Sequence, residues 1–129
     1  MSLLRLLGFG KKNVRINTIT VAQAYEGVTS GARILVDVRR LDEWNETGRP
    51  KGSFGVTLQD PAFVTKVSQL VEGDKDAPIA MSCRTGGRSL QGSNKLVAAG
   101  FTNVSNVEGG FLEWEKQGLP IDEPPFDGA

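Results

Sequence analysis

The hydrophobic residues of the chain alternate between short continuous runs and segments with helical spacing. Largely apolar runs at 34–38 and 79–82 predict buried strands. Shorter runs at 55–58 and 102–105 predict two more strands. Strands this short, separated by helix-like segments, are typical of a sheet whose strands run parallel.

The helical segments carry recognisable start and stop signals. Thr20 and Gln23 form a capping-box pattern at the start of the first helix. Gly100 ends the helix predicted at 89–99, and the following Phe101 can contact Leu96 in a Schellman cap. Apolar residues at helical spacing follow Pro61, so that segment should pack one face inward. The predicted helices cover 21–28, 41–46, 61–71, 89–99 and 111–116.

Alternating strands and helices predict an α/β fold in three layers, with a mainly parallel sheet covered by helices on both faces. The 129 residues suit one compact domain. We place that domain at 18–122, with an N-terminal extension at 1–17 and a loose C-terminal tail at 123–129.

Composition excludes several classes of function. Fifteen basic residues balance fifteen acidic ones, so the chain has no broad field for nucleic acid or acidic lipid. A single cysteine and no histidine exclude a disulfide framework, a Cys/His zinc site and a Ser/His or Cys/His catalytic pair. We therefore expect neither a metal nor a cofactor.

The first twelve residues are rich in leucine but too few to span a membrane. Their lysines follow the apolar residues, and no cleavage site for a signal peptide appears. The segment is either a frayed or locally packed terminus, which we favour, or a short amphipathic piece that lies on a membrane or another subunit. We expect a cytoplasmic location.

The one cysteine, Cys83, stands where the strand 79–82 gives way to a helix-like segment near Ser89. Two intervening glycines allow a tight turn with backbone N–H groups facing inward, next to the positive end of a helix. Thiols in such places have a lowered pKa, so Cys83 is a candidate nucleophile. The candidate site comprises Cys83 as the catalytic residue and the loop Arg84, Thr85, Gly86, Gly87, Arg88 and Ser89.

Other roles are open to these residues. A lone cysteine after an apolar strand is often a core residue, although a glycine- and arginine-rich loop favours a reactive thiol. Arg84 either binds an anion or points to solvent, and Arg88 either binds an anion or holds the loop through an acidic residue. Thr85 and Ser89 either donate hydrogen bonds to the site or cap the helix.

Asp37 and Arg39 close the strand 34–38 and should lie on the same rim of the sheet as Cys83. They either support the site or form a structural ion pair, with Glu43 as a further possible partner. We favour the structural role for Arg39, because arginine and carboxylate pair often without taking part in catalysis.

Together these segments resemble a rhodanese domain over about 18–122. No one of them is specific alone, but they occur in the family's order. They are Leu35-Val36-Asp37-Val38-Arg39, Glu43-Trp44, Gly48, Gly52, the loop Cys83–Ser89, Gly109-Gly110-Phe111 with Trp114, and Gly118-Leu119-Pro120-Ile121. The chain has Gly48-Arg49-Pro50 where many members have Gly-His-Ile, and it has no second rhodanese-like half, so it resembles the single-domain members.

The resemblance implies a five-stranded parallel sheet and a cysteine that carries sulfane sulfur as a persulfide. The expected activity is that of a thiosulfate sulfurtransferase. Its partners would be a small anionic sulfur donor such as thiosulfate and a cyanide or thiol acceptor. A protein sulfur donor or acceptor is a further partner left open.

Two other functions remain open. Cysteine phosphatases and arsenate reductases place five residues between cysteine and arginine, whereas here four separate Cys83 from Arg88. The position that would hold their arginine is Ser89, so the sequence disfavours a cysteine phosphatase or arsenate reductase. A non-catalytic regulatory module on the same fold is the other alternative, although such modules usually lack the cysteine that this chain keeps.

Overall fold

The structure, a computed structural model, describes residues 14–127. The strands are β1 (Asn17–Ile19), β2 (Ile34–Asp37), β3 (Arg49–Pro50), β4 (Phe54–Gly55), β5 (Ile79–Ser82), β6 (Val104–Val107) and β7 (Ile121–Asp122). The helices are α1 (Val21–Ser30), α2 (Leu41–Thr47), α3 (Phe63–Leu70), α4 (Gly87–Ala98) and α5 (Gly110–Lys116).

Five strands form one parallel sheet in the order β1-β6-β5-β2-β4, which confirms the predicted α/β fold. Strand β5 is central, between β6 and β2. A separate two-stranded antiparallel ribbon pairs β3 with β7. The strand that ends at Ser82 is therefore supported on both sides.

Alternate residues of the central strands enter two hydrophobic cores. Val36 and Met81 pack on one face with residues of α3 and α4, such as Phe63. Leu35 and Ala80 point to the opposite face, toward α1 and α5. This period of two fixes which strand residues face each helix layer, and it confirms the prediction of helices on both faces.

Several local signals act as predicted. The side chain of Thr20 accepts from the Gln23 amide at 3.1 Å, and the Gln23 side chain accepts from the Thr20 amide at 2.9 Å, completing the capping box. At the end of α4, the Phe101 amide bonds the Leu96 carbonyl at 3.0 Å. Gly100 adopts φ 101°, so the helix ends in the predicted Schellman arrangement.

Other element boundaries differ from the prediction. Strand β6 begins at Val104 instead of residue 102, and α3 begins at Phe63 because Asp60 organises a turn before it. The Asp60 carboxylate accepts from the Ala62 amide at 2.8 Å, and the backbone carbonyl of Asp60 accepts from the Phe63 amide at 2.9 Å. Strands β1, β3 and β7 were not predicted, since two or three residues show no periodicity.

The segment after β7 is packed on the domain as far as the structure describes it, which contradicts the expected loose tail. The Asn45 side chain bonds the backbone of Phe126 twice, at 2.6 and 3.2 Å. The Phe126 ring lies 4.4 Å from the Arg49 guanidinium, which also lies 4.9 Å from the Trp44 ring. The tail thus covers the side of α2 and β3.

The leucine-rich start of the chain lies outside the described residues. Strand β1 begins at Asn17, one residue before the predicted domain start, and the division into 1–17, 18–122 and 123–129 stays a prediction. Between residues 14 and 127, the helices are all too short or too polar to cross a bilayer.

Candidate functional site

Cys83 directly follows the central strand β5, and the loop after it leads into α4 at Gly87. The loop reverses at Gly86, whose φ of 122° is open to glycine and strained for other residues. Cys83 is 1% exposed, so its sulfur lies at the bottom of the loop. The predicted strand, loop and helix therefore place the thiol at the carboxyl end of the sheet.

The loop directs hydrogen-bond donors at the sulfur of Cys83. The Gly86 amide lies 3.1 Å from Sγ, and the Ser89 hydroxyl lies 3.3 Å from it. Burial is the largest single influence on this thiol, and it opposes ionisation. The Ser89 hydroxyl and the amides of Ser89, Gly86 and Thr85 outweigh it, so the pKa of Cys83 lies below its ordinary value.

Helix α5 holds the loop from the other side. The Phe111 amide donates to the Cys83 carbonyl at 2.8 Å, and the Leu112 amide donates to the Arg84 carbonyl at 3.1 Å. This approach requires glycine at position 110, where φ is 54° and an added Cβ would lie 2.5 Å from the Cys83 carbonyl oxygen. Gly110, noted in the sequence only as a family landmark, is thus the contact point between helix and loop.

Ser89 lies in the first turn of α4 and not at its cap, because the helix begins two residues earlier. Its hydroxyl lies 2.6 Å from Oδ1 of Asn106 and 3.2 Å from the Gly86 carbonyl. Asn106 in turn donates from Nδ2 to the same Gly86 carbonyl at 3.1 Å. Sequence reasoning missed Asn106, whose only signal is a carboxamide between Ser105 and Val107 in β6.

Arg88 is held by Glu43 of α2 through two hydrogen bonds of 2.6 and 2.8 Å. The bonds from Arg88 lower the pKa of Glu43 to about 2, although its partial burial acts in the opposite direction. The same pairing raises the pKa of Arg88. This geometry favours the loop-holding role for Arg88 and assigns Glu43 to it instead of to Arg39, while anion binding by Arg88 stays a prediction.

Arg84 is exposed, and within residues 14–127 it has no ion pair or side-chain hydrogen bond. Thr85 and Gly87 are exposed beside it. Arg84 is thus a cation on the surface of the loop that is available to a dissolved anion.

Asp37 and Arg39 form a buried ion pair with several hydrogen bonds. Nε and Nη2 of Arg39 lie 2.9–3.1 Å from the Asp37 carboxylate, and Nη2 also donates to the Gly48 carbonyl at 3.0 Å. The guanidinium lies 4.3 Å from the centre of the Phe111 ring, behind the loop. Neither residue hydrogen-bonds to Cys83 in the described part of the chain, so the geometry favours the structural role.

Residues 14–127 contain no cluster of three acidic, cysteine or histidine side chains that could hold a metal ion. The site combines one activated thiol, several backbone amides, a hydroxyl and an exposed guanidinium. Such an arrangement stabilises negative charge on sulfur and attracts anions.

Comparison with known proteins gives a consistent result. Residues 20–117 match the family model described as Rhodanese-like domain. Thiosulfate sulfurtransferase GlpE of Haemophilus influenzae is 38% identical over 104 residues, which are 81% of this chain and 92% of that protein. The chloroplastic thiosulfate sulfurtransferase 16 of Arabidopsis thaliana is 33% identical over 113 residues, 81% of this chain and 91% of that protein.

Among solved structures, one from Rhodopseudomonas palustris superposes with a TM-score of 0.69 and 29% identity. The match covers 83% of this chain and 85% of that one. That protein is described as of unknown function and as a possible tyrosine phosphatase.

Proposed function

Because the chain belongs to the family of rhodanese-like domains, we propose that it is a sulfurtransferase that carries sulfane sulfur on Cys83. The observation that carries the proposal is the buried Cys83 sulfur, which lies within hydrogen-bond distance of the Gly86 amide and the Ser89 hydroxyl. The relatives named thiosulfate sulfurtransferase support this class of reaction.

In the first half-reaction, the Cys83 thiolate attacks the outer sulfur of thiosulfate. A new S–S bond forms, the bond between the two thiosulfate sulfurs breaks, and its electron pair leaves with sulfite. Total charge is unchanged, since thiolate and thiosulfate become a persulfide anion and sulfite. Sulfite is a stable anion that needs no proton, which suits a site without histidine. Arg84, exposed on the loop, is the proposed contact for the donor's oxygens.

In the second half-reaction, a nucleophile attacks the outer sulfur of the persulfide and returns Cys83 to its thiolate. With cyanide the product is thiocyanate, and with a thiol it is a new persulfide. The chain has no second cysteine to release the sulfur internally, so the acceptor comes from outside. The physiological donor or acceptor can be a protein. A cytoplasmic location stays a prediction, because one relative is named as chloroplastic.

A cysteine phosphatase is the rival activity, and the description of the Rhodopseudomonas relative makes it worth testing. The loop argues against it, because Arg88 is one residue too early and its guanidinium is occupied by Glu43. A phosphatase also needs an acid for the leaving group. A non-catalytic module is the second rival, and the hydrogen-bond donors directed at the Cys83 sulfur favour catalysis over it.

The test measures thiocyanate formed from thiosulfate and cyanide, and turnover of an aryl phosphate, with the wild type and Cys83→Ser. We expect thiocyanate formation that Cys83→Ser abolishes, and no phosphatase activity. The intact mass after thiosulfate alone should rise by one sulfur atom, which a reductant removes. A preference for the phosphate ester, or equal thiocyanate formation by Cys83→Ser, would refute the proposal.

A further inference from the structure

The orientation of the Asn106 side chain follows from one neighbour. The Gly86 carbonyl has no hydrogen to give, so the Asn106 atom that lies 3.1 Å from it must be the donor, Nδ2. The other end of the carboxamide, which faces Ser89, is then Oδ1 and can only accept. The short 2.6 Å contact between Ser89 and Asn106 thus requires the proton of the Ser89 hydroxyl.

The Ser89 hydroxyl has one proton but three acceptors within reach. They are Oδ1 of Asn106 at 2.6 Å, the carbonyl of Gly86 at 3.2 Å and Sγ of Cys83 at 3.3 Å. A neutral thiol is a weak acceptor, so the proton goes to Asn106 while Cys83 is protonated. A thiolate attracts the proton far more strongly, because bonds to ionised acceptors are about twice as strong as neutral ones.

We propose that Asn106 is a positioning residue that competes with the Cys83 sulfur for the Ser89 proton, so that this hydroxyl turns toward sulfur only when sulfur is charged. Both acceptors already lie within hydrogen-bond distance, so the change needs a rotation of the hydroxyl hydrogen and no movement of heavier atoms. Asn106 keeps its bond to Gly86 in both states, which holds the loop while the proton turns.

The effect on the sulfur cycle rests on the proposed function. In the free thiolate the negative charge is on Sγ, and in the persulfide it moves to the outer sulfur. Sγ then no longer needs the Ser89 proton, which returns to Asn106. When the charge moves from the inner to the outer sulfur, Sγ loses its hydrogen bond from Ser89. The Ser89–Asn106 hydrogen bond that forms in its place offsets part of that loss.

Other charged groups around the thiol do not compete for this proton. Arg88 acts on Cys83 from α4 and is paired with Glu43 of α2. The Asp37–Arg39 pair closes β2 behind the loop, and Arg39 contacts Phe111 of α5. Helix α5 itself contributes backbone amides to the loop carbonyls. Asn106 and Ser89 are uncharged, so their effect on the thiol can be separated from that of these ion pairs.

The experiment measures the rate at which iodoacetamide alkylates Cys83 in the full chain across pH, with no sulfur donor present. Ser89→Ala removes the donor and should raise the pH of half-maximal reaction, with alkylation roughly threefold to tenfold slower below that midpoint. Asn106→Leu is close in size but cannot accept, which leaves the Gly86 carbonyl and Sγ as the acceptors within reach of the hydroxyl. The charged thiolate is the stronger of the two, so the variant should lower the midpoint. Alkylation at low pH should then be roughly threefold faster.

The double variant separates competition from a structural effect. In the Ser89→Ala background, Asn106→Leu should no longer lower the midpoint, since there is no proton to release. The matched control is Asn103→Leu, an exposed asparagine just before β6, which should leave the midpoint unchanged. If Asn106→Leu does not fold, as judged by circular dichroism, Asn106→Val tests the same removal of the acceptor.

The proposal is overturned if Asn106→Leu leaves the midpoint in place or raises it. It is equally overturned if the midpoint falls by the same amount with and without Ser89. Because no sulfur donor is used, a protein that makes no thiocyanate can still show the competition. Failure of this inference and failure of the proposed function are therefore distinguishable.

Discussion

Replacement of Gly110 by alanine tests how the α5 contact positions the reactive loop. Gly110 has φ 54°, and a Cβ there would lie 2.5 Å from the Cys83 carbonyl oxygen and 2.7 Å from that of Arg84. Both contacts are with backbone, so no side chain can rotate away. We expect Gly110→Ala to displace the loop that carries the thiol.

The expected loss of stability in Gly110→Ala has two parts. A positive φ costs a residue with a Cβ about 1–2 kcal/mol. Lengthening the shorter contact from 2.5 Å to an ordinary separation of about 3.0–3.4 Å requires a shift of roughly 0.5–0.9 Å. Overpacking of this kind typically costs about 1–3 kcal/mol. We thus expect Gly110→Ala to lower the free energy of unfolding by about 2–5 kcal/mol. Sulfur transfer should fall by up to about a hundredfold, because displacements near 1 Å have effects of that order on catalysis.

Gly118 gives a matched control at the other end of the same helix. It also has a positive φ, 68°, but an added Cβ meets nothing within 4 Å. Gly118→Ala should therefore lower the free energy of unfolding only by the roughly 1–2 kcal/mol that a positive φ costs, and leave activity nearly unchanged. Urea unfolding gives the two stabilities, and thiocyanate formation at a temperature where both variants are folded gives the activities. Equal stability and equal activity of the two variants would refute the steric reasoning.

Two further predictions concern charged groups near the loop. The pKa of Glu43 is lowered from 4.5 to about 2, so its pairing with Arg88 stabilises the fold fully above pH 4.5 and is lost as pH falls toward 2. Glu43→Gln should have a lower free energy of unfolding than the wild type at pH 6. Unfolding measured at decreasing pH should show this difference shrinking below pH 4.5. A difference that stays constant with pH contradicts the pairing of Glu43 with Arg88. Arg84→Ala should reduce kcat/KM for thiosulfate about tenfold or more while alkylation of Cys83 by neutral iodoacetamide changes little. Equal losses in both reactions would mean that Arg84 acts on the thiol or the loop and not on the donor.

The sequence predicts the features that depend on neighbouring residues. The strand before Cys83, the capping box at Thr20 and the Schellman cap at Gly100 are all set by residues within a few positions. For the same reason the cysteine loop and its inward amides could be predicted, because a strand, a glycine turn and a helix start determine them.

The features that were missed depend on contacts between distant parts of the chain. Asn106 reaches Ser89 only because β6 lies beside β5 in a particular register, which hydrophobicity does not specify. From the sequence, Glu43 could pair with Arg39 or with Arg88, and the packing of α2 against the loop selects Arg88. The β3–β7 ribbon joins two pairs of residues about seventy positions apart, and each pair alone is too short to predict.

The near-complete burial of the Cys83 sulfur has a consequence for the size of the molecules that reach it. A resting thiol at the bottom of the loop is accessible to a slender reagent that presents one atom, such as the terminal sulfur of thiosulfate, and is shielded from bulky oxidants. In the proposed persulfide, the outer sulfur stands about 2 Å farther along the side chain. The carried atom then lies nearer the mouth of the loop than the thiol that holds it, within the range of an acceptor too large to enter. The depth of the Cys83 thiol would thus restrict the size of the sulfur donor more strictly than the size of the sulfur acceptor.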